Sequence, residues 1–274
     1  MTTPWRVAMA AAAAAPFILG QGRAVSAPPA VATPTVSARA AFRPAGCPPE
    51  MLPDGDGVCV RLAAPDEGAP AAQSVVNAHR DRSGDWVVYD QIPRRPDRPE
   101  DYSAYMFPVP CPAGCVMSGY DLDRPDALQR RGARLRAVGH GAVDLAAPRG
   151  TPVVALGLEH QVSATRVAFV GPLFGNTVVT RHTLLEGGER RDYLVVLGHL
   201  DSVSPAVVAG SEIRDGDVVG LVGDSGSKGV VHLHYEVRRW RAPAPMTSEG
   251  AVLIDDAHSI VCDPRNVLPL RPRP

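Results

Sequence analysis

"NTVVTRHTLLEGGERRDYLVVLGHL", residues 176–200, decides the fold class. It holds two runs, "NTVVTRHTLL" and "DYLVVLGHL", rich in Val, Thr, Leu and Tyr and separated by a polar, glycine-bearing stretch. Such composition favours extended chain on both sides of a turn. Four runs of the same kind flank it: "TPVVALG" (151–157) and "RVAFVG" (166–171) before it, "DVVGLVGDSG" (217–226) and "VHLHYEV" (231–237) after it. Short β-type runs punctuated by Gly, Asp or Pro predict a mainly β chain with an antiparallel or barrel-like sheet, not βαβ units. Only "RPDALQRRGARLRAV" (124–138) has the length of a helix of more than two turns, and its arginines interrupt any apolar face. No internal repeat of fixed period is present.

The chain of 274 residues is 45% hydrophobic and 21% charged, the balance of a globular protein able to build a core. A formal net charge of -1, with no basic run interleaved with aromatics, argues against a nucleic-acid partner.

The first thirty residues read differently. Arg6 precedes an apolar stretch from Val7 to Gly20, and small residues follow around Ala24 to Ala27, the layout of a secretory signal peptide over residues 1–27. The apolar stretch falls short of the ~20 residues of a comfortable membrane span. An uncleaved anchor is the alternative, and either way the globular part is expected outside the cytoplasm, with no membrane span left after cleavage. Residues 28–45, rich in Pro, Ala, Ser and Thr, read as a linker.

Five cysteines, Cys47, Cys59, Cys111, Cys115 and Cys262, leave at least one without a partner in the chain. Cys47 and Cys59 flank a Pro- and Gly-rich turn that suits a local disulfide hairpin within an N-terminal region spanning 46–104. Either Cys111 or Cys115, in "CPAGC", is a candidate partner for Cys262. The five are too scattered for a zinc knuckle. The N-terminal region also carries one strand, "DWVVYDQI" (85–92), followed by a proline-punctuated linker, "PRRPDRPEDY" (93–102).

The histidines carry the chemistry. In an extended chain residues i and i+2 share a face, so "VHLHYEV" projects His232 and His234 together, about 6 to 7 Å apart along the strand, while Leu233 points away. Neutral imidazoles on one face suit a divalent metal. Upstream, "VGHGAVDLAAPRGTPVVA" (138–155) offers His140 and Asp144 in the spacing HxxxD, and "YLVVLGHLDSV" (193–203) ends an apolar strand at His199. His79, His160 and His258 lie in polar, loop-like settings and read as solvated side chains. Asn176 reads as a turn residue. "GDSGSKG" (223–229) leads into a strand and lacks the GK[ST] ending of a phosphate loop.

In this order, HxxxD, then "GHL", then "HLHYEV", the chain resembles the LytM or lysostaphin type of zinc metallopeptidase, the M23 family of peptidoglycan endopeptidases. "FPVP" and "VMSGYD" resemble its opening strand, "GAVDLAAPRGTPVVALG" the strand and turn after the first ligands, and "FGNTVVTRH" the next hairpin. The resemblance covers roughly residues 105–240, which sets a metallopeptidase domain at 105–245 and leaves 246–274 as a C-terminal extension. It implies an antiparallel β-sheet core and one Zn2+ per chain, held by His140, Asp144 and His234. His199 and His232 would then be the second-sphere pair that handles the water and the developing oxyanion. Three protein ligands leave the fourth tetrahedral position open, as in catalytic zinc sites. Zinc lowers the pKa of its water to about 7. No HExxH helix supplies a glutamate base, so an imidazole must serve as acid and base.

The resemblance further implies an exported enzyme of the periplasm or cell exterior, monomeric, with peptidoglycan as substrate. His182 matches a position where the family often carries a histidine or another polar strand residue, and it reads as a structural strand residue more than as a supporting one. The chain departs from the family's usual HxGxD by reading "HGAVD", which bears on the loop between the ligands. A catalytically inactive wall-binding protein or amidase activator is the rival reading, and such relatives lose ligands, whereas this chain keeps all five positions. A purely structural metal would call for a closed shell of four ligands, leaving His199 and His232 without a purpose.

Overall fold

The computed structural model describes residues 51–53, 59–61, 65–80, 85–122, 140–241 and 249–272. The signal-peptide and linker expectations, Cys47, the side chains of Cys59 and His79, and the candidate helix at 124–138 lie outside the described residues.

The hairpin of residues 176–200 is the centre of the architecture. Its two runs form β9 (Gly175–Glu186) and β10 (Glu189–Val203), paired antiparallel from Glu189 opposite Glu186 to Leu197 opposite Val178. Around them lie β3 (Val75–Arg80), β4 (Trp86–Ile92), β5 (Val116–Ser118), β6 (Ala142–Leu145), β7 (Pro152–Val154), β8 (Thr165–Leu173), β11 (Glu212–Ile213), β12 (Val218–Val222), β13 (Leu233–Trp240) and β14 (Ser259–Cys262). These build a 12-stranded sheet whose main path runs β11, β8, β9, β10, β13, β14, β4, β3, with β6 carrying β5 on the edge of β13 and β12 linking β10 to β7. A separate small hairpin joins β1 (Met51–Pro53) to β2 (Cys59–Arg61). The structure is therefore mainly β and mainly antiparallel. Among the described strands only β14 and β4 pair in parallel.

Side-chain alternation sorts β10 and β13 between two cores. Tyr193, Val195 and Leu197 of β10 pack with Leu233, Tyr235 and Val237 of β13 in the larger core, together with Val143, Leu145 and Val178. Leu194 and Val196 point to the opposite face, where Val179, Trp240 and Leu253 form a smaller cluster. Burial on both faces explains why "DYLVV" is a continuous apolar run without polar alternation. Burying a side chain such as Leu233, which has no solvent exposure, contributes about 2 kcal/mol.

Three features differ from the sequence reading. The segment read as a linker at 93–102 is clamped: Arg98 is buried, pairs with Glu159 at 2.5 Å, and donates to the carbonyl oxygens of Arg265 and Leu268. A buried guanidinium is tolerated because its donors are satisfied. The sheet also does not stop at residue 245, since β14 pairs with β13 from Val237 opposite Cys262 to Trp240 opposite Ser259. Finally, Cys111 and Cys115 are bonded to each other, and Cys262 is a free, buried thiol whose pKa burial pushes up to about 12. Four residues of separation let the short turn close on itself, so neither cysteine reaches β14.

No helix among the described residues is long and apolar enough to cross a membrane.

Candidate metal centre

Strand register places the centre. Asp144 of β6 and Gly198 of β10 lie directly opposite His234 of β13, one on each side. All three belong to the sheet face opposite the large core, and His232 follows on the same face by the period of two. His140 enters just before β6, bridging to Asp121. His199 arrives by a different device. At this residue β10 stops pairing with β13 and passes to β12, with register shifts on both sides of Leu200. The backbone of His199 is left-handed, φ 61°. Such a conformation costs a residue with a Cβ on the order of 1–2 kcal/mol. Its N–H donates to the Phe174 carbonyl at 2.7 Å, which anchors the bulge, and the ring turns toward His232 with centroids 4.6 Å apart. Gly198 permits this crowding, because a Cβ there would sit 2.8 Å from Cβ of Phe174 and 3.2 Å from Cβ of His234.

The five residues named from the sequence thus converge. His140 Nε2 and His234 Nδ1 each lie 3.3 Å from Asp144 Oδ1, and His232 Nε2 lies 3.6 Å from the same oxygen. One donor atom from each of His140, Asp144 and His234 falls within 4.8 Å of the others. Hydrogen bonds at the far side of each ring set the tautomers. His140 Nδ1 donates to the Gly119 carbonyl at 3.0 Å, which leaves Nε2 as a lone pair, and that atom is buried with no hydrogen-bond partner. His234 Nε2 donates to Glu236 Oε2 at 3.2 Å, and Nδ1 faces Asp144 Oδ1, where a cation would take the place of a ring proton. The His140 lone pair, the His234 Nδ1 nitrogen and a carboxylate oxygen therefore point at one place. That donor set fits a divalent cation such as Zn2+. The local field agrees: burial opposes charge on His234, yet the hydrogen bonds and charges of Asp144 and Glu236 outweigh it and lift its pKa to about 9. The surroundings thus favour positive charge at this point.

His199 and His232 stand beside the three donors without completing their shell. His232 Nδ1 donates to the Val230 carbonyl at 2.9 Å and His199 Nδ1 to the Ser225 carbonyl at 2.8 Å, so both present Nε2 lone pairs. Burial, aided by the neighbouring His232 and His234, pulls the His199 pKa down to about 4 against the opposing effect of the Ser225 carbonyl. Phe174 stacks on His234 at 4.5 Å.

Other histidines lie elsewhere. His182 is buried, donating to Gln161 Oε1 at 2.8 Å and accepting from Thr180 Oγ1 at 2.9 Å, neither of them a residue of the centre. His160 is solvent-exposed. His258 is not simply solvated, since it is half-buried and stacks on Trp240. Sequence reasoning missed Glu236, although its signal was available: the alternation that paired His232 with His234 continues to Glu236 and Arg238. A cavity of about 650 Å3 under the Cys111–Cys115 loop contains none of the five residues and meets the centre through Gly119.

Residues 138–246, which hold His140, Asp144, His199, His232 and His234, match the family model for Peptidase family M23. This segment belongs to peptidase family M23. Over 102 residues the M23 domain is 38% identical to the DD-carboxypeptidase/endopeptidase Mpg of Neisseria meningitidis serogroup B, covering 36% of this chain and 20% of that protein. Over 109 residues it is 29% identical to the uncharacterized lipoprotein YgeR of Escherichia coli K12, covering 39% of this chain and 37% of the relative. The match therefore spans about a fifth of Mpg and well under half of YgeR. Among solved structures, the catalytic domain of the prophage-encoded M23 protein EnpA of Enterococcus faecalis is similar at 24% identity and a TM-score of 0.33, over 48% of this chain and 87% of that one.

Proposed function

We propose that this chain is an exported zinc-dependent endopeptidase that hydrolyses peptide bonds in the stems or cross-links of bacterial peptidoglycan. One observation carries the reading. The His140 Nε2 lone pair, buried and without a partner, faces Asp144 Oδ1 beside His234 Nδ1, and two further imidazoles adjoin them. His140, Asp144 and His234 would hold the metal. When bound, zinc supplies a water acidic enough to ionise near neutrality and a Lewis acid for the scissile carbonyl.

The chain's own groups do the rest. His199 and His232 are held by backbone carbonyls with Nε2 free, so either accepts the proton of the attacking water. The imidazolium so formed then donates to the developing oxyanion or to the leaving nitrogen. No carboxylate other than Asp144 is in contact with this pair among the described residues, which leaves the base role to imidazole. The choice of peptidoglycan rests on the LytM or lysostaphin resemblance, and the naming of Mpg as a DD-carboxypeptidase/endopeptidase supports it.

The test is hydrolysis of purified peptidoglycan by the full chain, with and without chelator, alongside His232→Ala. Chelation should abolish product release and added Zn2+ should restore it. His232→Ala should retain zinc while losing roughly 10^2- to 10^4-fold in turnover. Activity in zinc-free protein, or unchanged turnover in the variant, would sink the mechanism. Zinc binding without any hydrolysis would favour an inactive wall-binding protein instead.

A further inference from the structure

The sheet face that carries His232 and His234 continues along β13 through Glu236 and Arg238, both buried. Their neighbours across the β10 pairing, Val196 opposite Glu236 and Leu194 opposite Arg238, are fully buried apolar residues of the smaller cluster. Aliphatic side chains would satisfy that environment, and replacing a buried ion pair by apolar residues is often neutral or stabilising. A carboxylate and a guanidinium stand there instead, with their hydrogen-bonding groups directed in a defined order.

Glu236 Oε2 accepts from His234 Nε2 at 3.2 Å, and Glu236 Oε1 accepts from Arg238 Nη1 at 2.7 Å. Arg238 is held in turn by residues beyond the family match: Nε donates to Ser259 Oγ at 2.6 Å, and Nη2 donates to Asp256 Oδ1 at 2.5 Å and to the Ser259 carbonyl at 3.2 Å. Ser259 has no solvent exposure, and its hydroxyl donates to the Leu253 carbonyl at 2.7 Å. The chain of contacts thus runs from an imidazole of the centre to the segment that the sequence presented as an extension.

We propose that Glu236 is a positioning residue of the metal centre, and that Arg238 with the 253–259 segment is the frame that holds it. By accepting the hydrogen bond of His234 Nε2–H, Glu236 reserves Nδ1, the nitrogen that faces Asp144, as the donor to a bound cation. By gripping the second oxygen of Glu236, Arg238 stops the carboxylate from rotating or turning inward to bind the metal itself. Outer hydrogen bonds of this kind fix ligand tautomer and orientation, and losing one typically weakens metal binding 10- to 100-fold. The inference rests on the reading of His140, Asp144 and His234 as metal ligands.

The test uses the full chain, stripped of metal and titrated with Zn2+ against a competing chelator, and with Co2+ followed by visible absorption. Glu236→Leu should raise the Zn2+ dissociation constant about 10- to 100-fold and alter the Co2+ bands, and the metal-free protein should melt lower because Arg238 Nη1 loses its buried carboxylate partner. Glu236→Gln, nearly isosteric and still able to accept from Nε2, should fall between wild type and Glu236→Leu, and it covers the case in which the leucine variant does not fold. A wild type that binds tightly, with both variants within twofold of it and unchanged Co2+ spectra, would overturn the positioning role and leave the metal centre standing. A wild type that binds neither metal would overturn both.

Discussion

Gly198→Ala tests whether the crowding around the β10 bulge serves the centre. An added Cβ would lie 2.8 Å from Cβ of Phe174 and 3.2 Å from Cβ of His234, so one strand has to retreat by roughly 0.6 Å or more to reach ordinary contact. The first clash is with Cβ, so turning the Phe174 ring does not relieve it, and the β8–β9 turn must move as a backbone. That turn is tied down: Asn176 N–H donates to Ser225 Oγ at 2.8 Å, and Asn176 Nδ2 donates to the Leu200 carbonyl at 3.0 Å. Moving it stretches the bond from His199 N–H to the Phe174 carbonyl. Overpacking of a close-fitted site costs about 1–3 kcal/mol, and a weakened hydrogen bond adds about 1 kcal/mol. Urea unfolding followed by tryptophan fluorescence should therefore show a loss of about 2–4 kcal/mol. Turnover on peptidoglycan should fall on the order of 10- to 100-fold, because His199 and His234 are displaced together. In a Phe174→Gly background the same substitution should cost less, since the clashing atom is gone, and the double-mutant cycle measures the difference. Stability within ~0.5 kcal/mol of wild type together with unchanged turnover would refute the argument.

Two further outcomes follow from groups outside the centre. Burial holds the His182 pKa down at about 3, below its ordinary 6.5, so the unfolded chain binds a proton that the folded chain refuses. Stability from this residue is complete above pH 6.5 and declines as pH falls toward 3, by about 3 kcal/mol at pH 4. His182→Gln removes that dependence, and a stability difference between the two proteins that stays constant from pH 7 to 4 would contradict it. Arg149 bridges Asp201 at 2.7 Å and Asp224 at 2.6 Å, the latter adjoining Ser225, whose carbonyl holds His199. Because the bridge is exposed and screened by solvent, Arg149→Ala should leave stability essentially unchanged. It should nonetheless lower turnover through the looser Ser225 turn, and equal turnover in the two proteins would argue against that link.

Much of the candidate site was legible because its residues sit on local patterns. The period of two in "HLH" placed His232 and His234 on one face, and HxxxD and "GHL" supplied the other three residues in the order that resembles the M23 peptidases. The same alternation extends to Glu236 and Arg238, yet sequence reasoning passed over them, since a charged residue on a strand ordinarily faces water. The disulfide partner of Cys111 was open to the same kind of error: spacing permits both a short loop and a long one, and only the fold shows Cys262 buried under Asn266 on β14.

The amino-acid sequence by itself determined the β character of the chain, the turns between its runs and which side chains share a strand face, because these depend on neighbours two residues apart. The tertiary structure decided which strands meet. Asp144 stands opposite His234 across a separation of 90 residues, and β14 joins β4 in parallel with Val261 opposite Gln91, 170 residues earlier. It also decided that β10 would break at His199 and turn that ring toward His232, a left-handed residue that no local preference favours. Such features are set by pairings between distant strands and by the fit of Gly198 against Phe174, and a pattern of apolar and polar residues carries no record of a partner that far away.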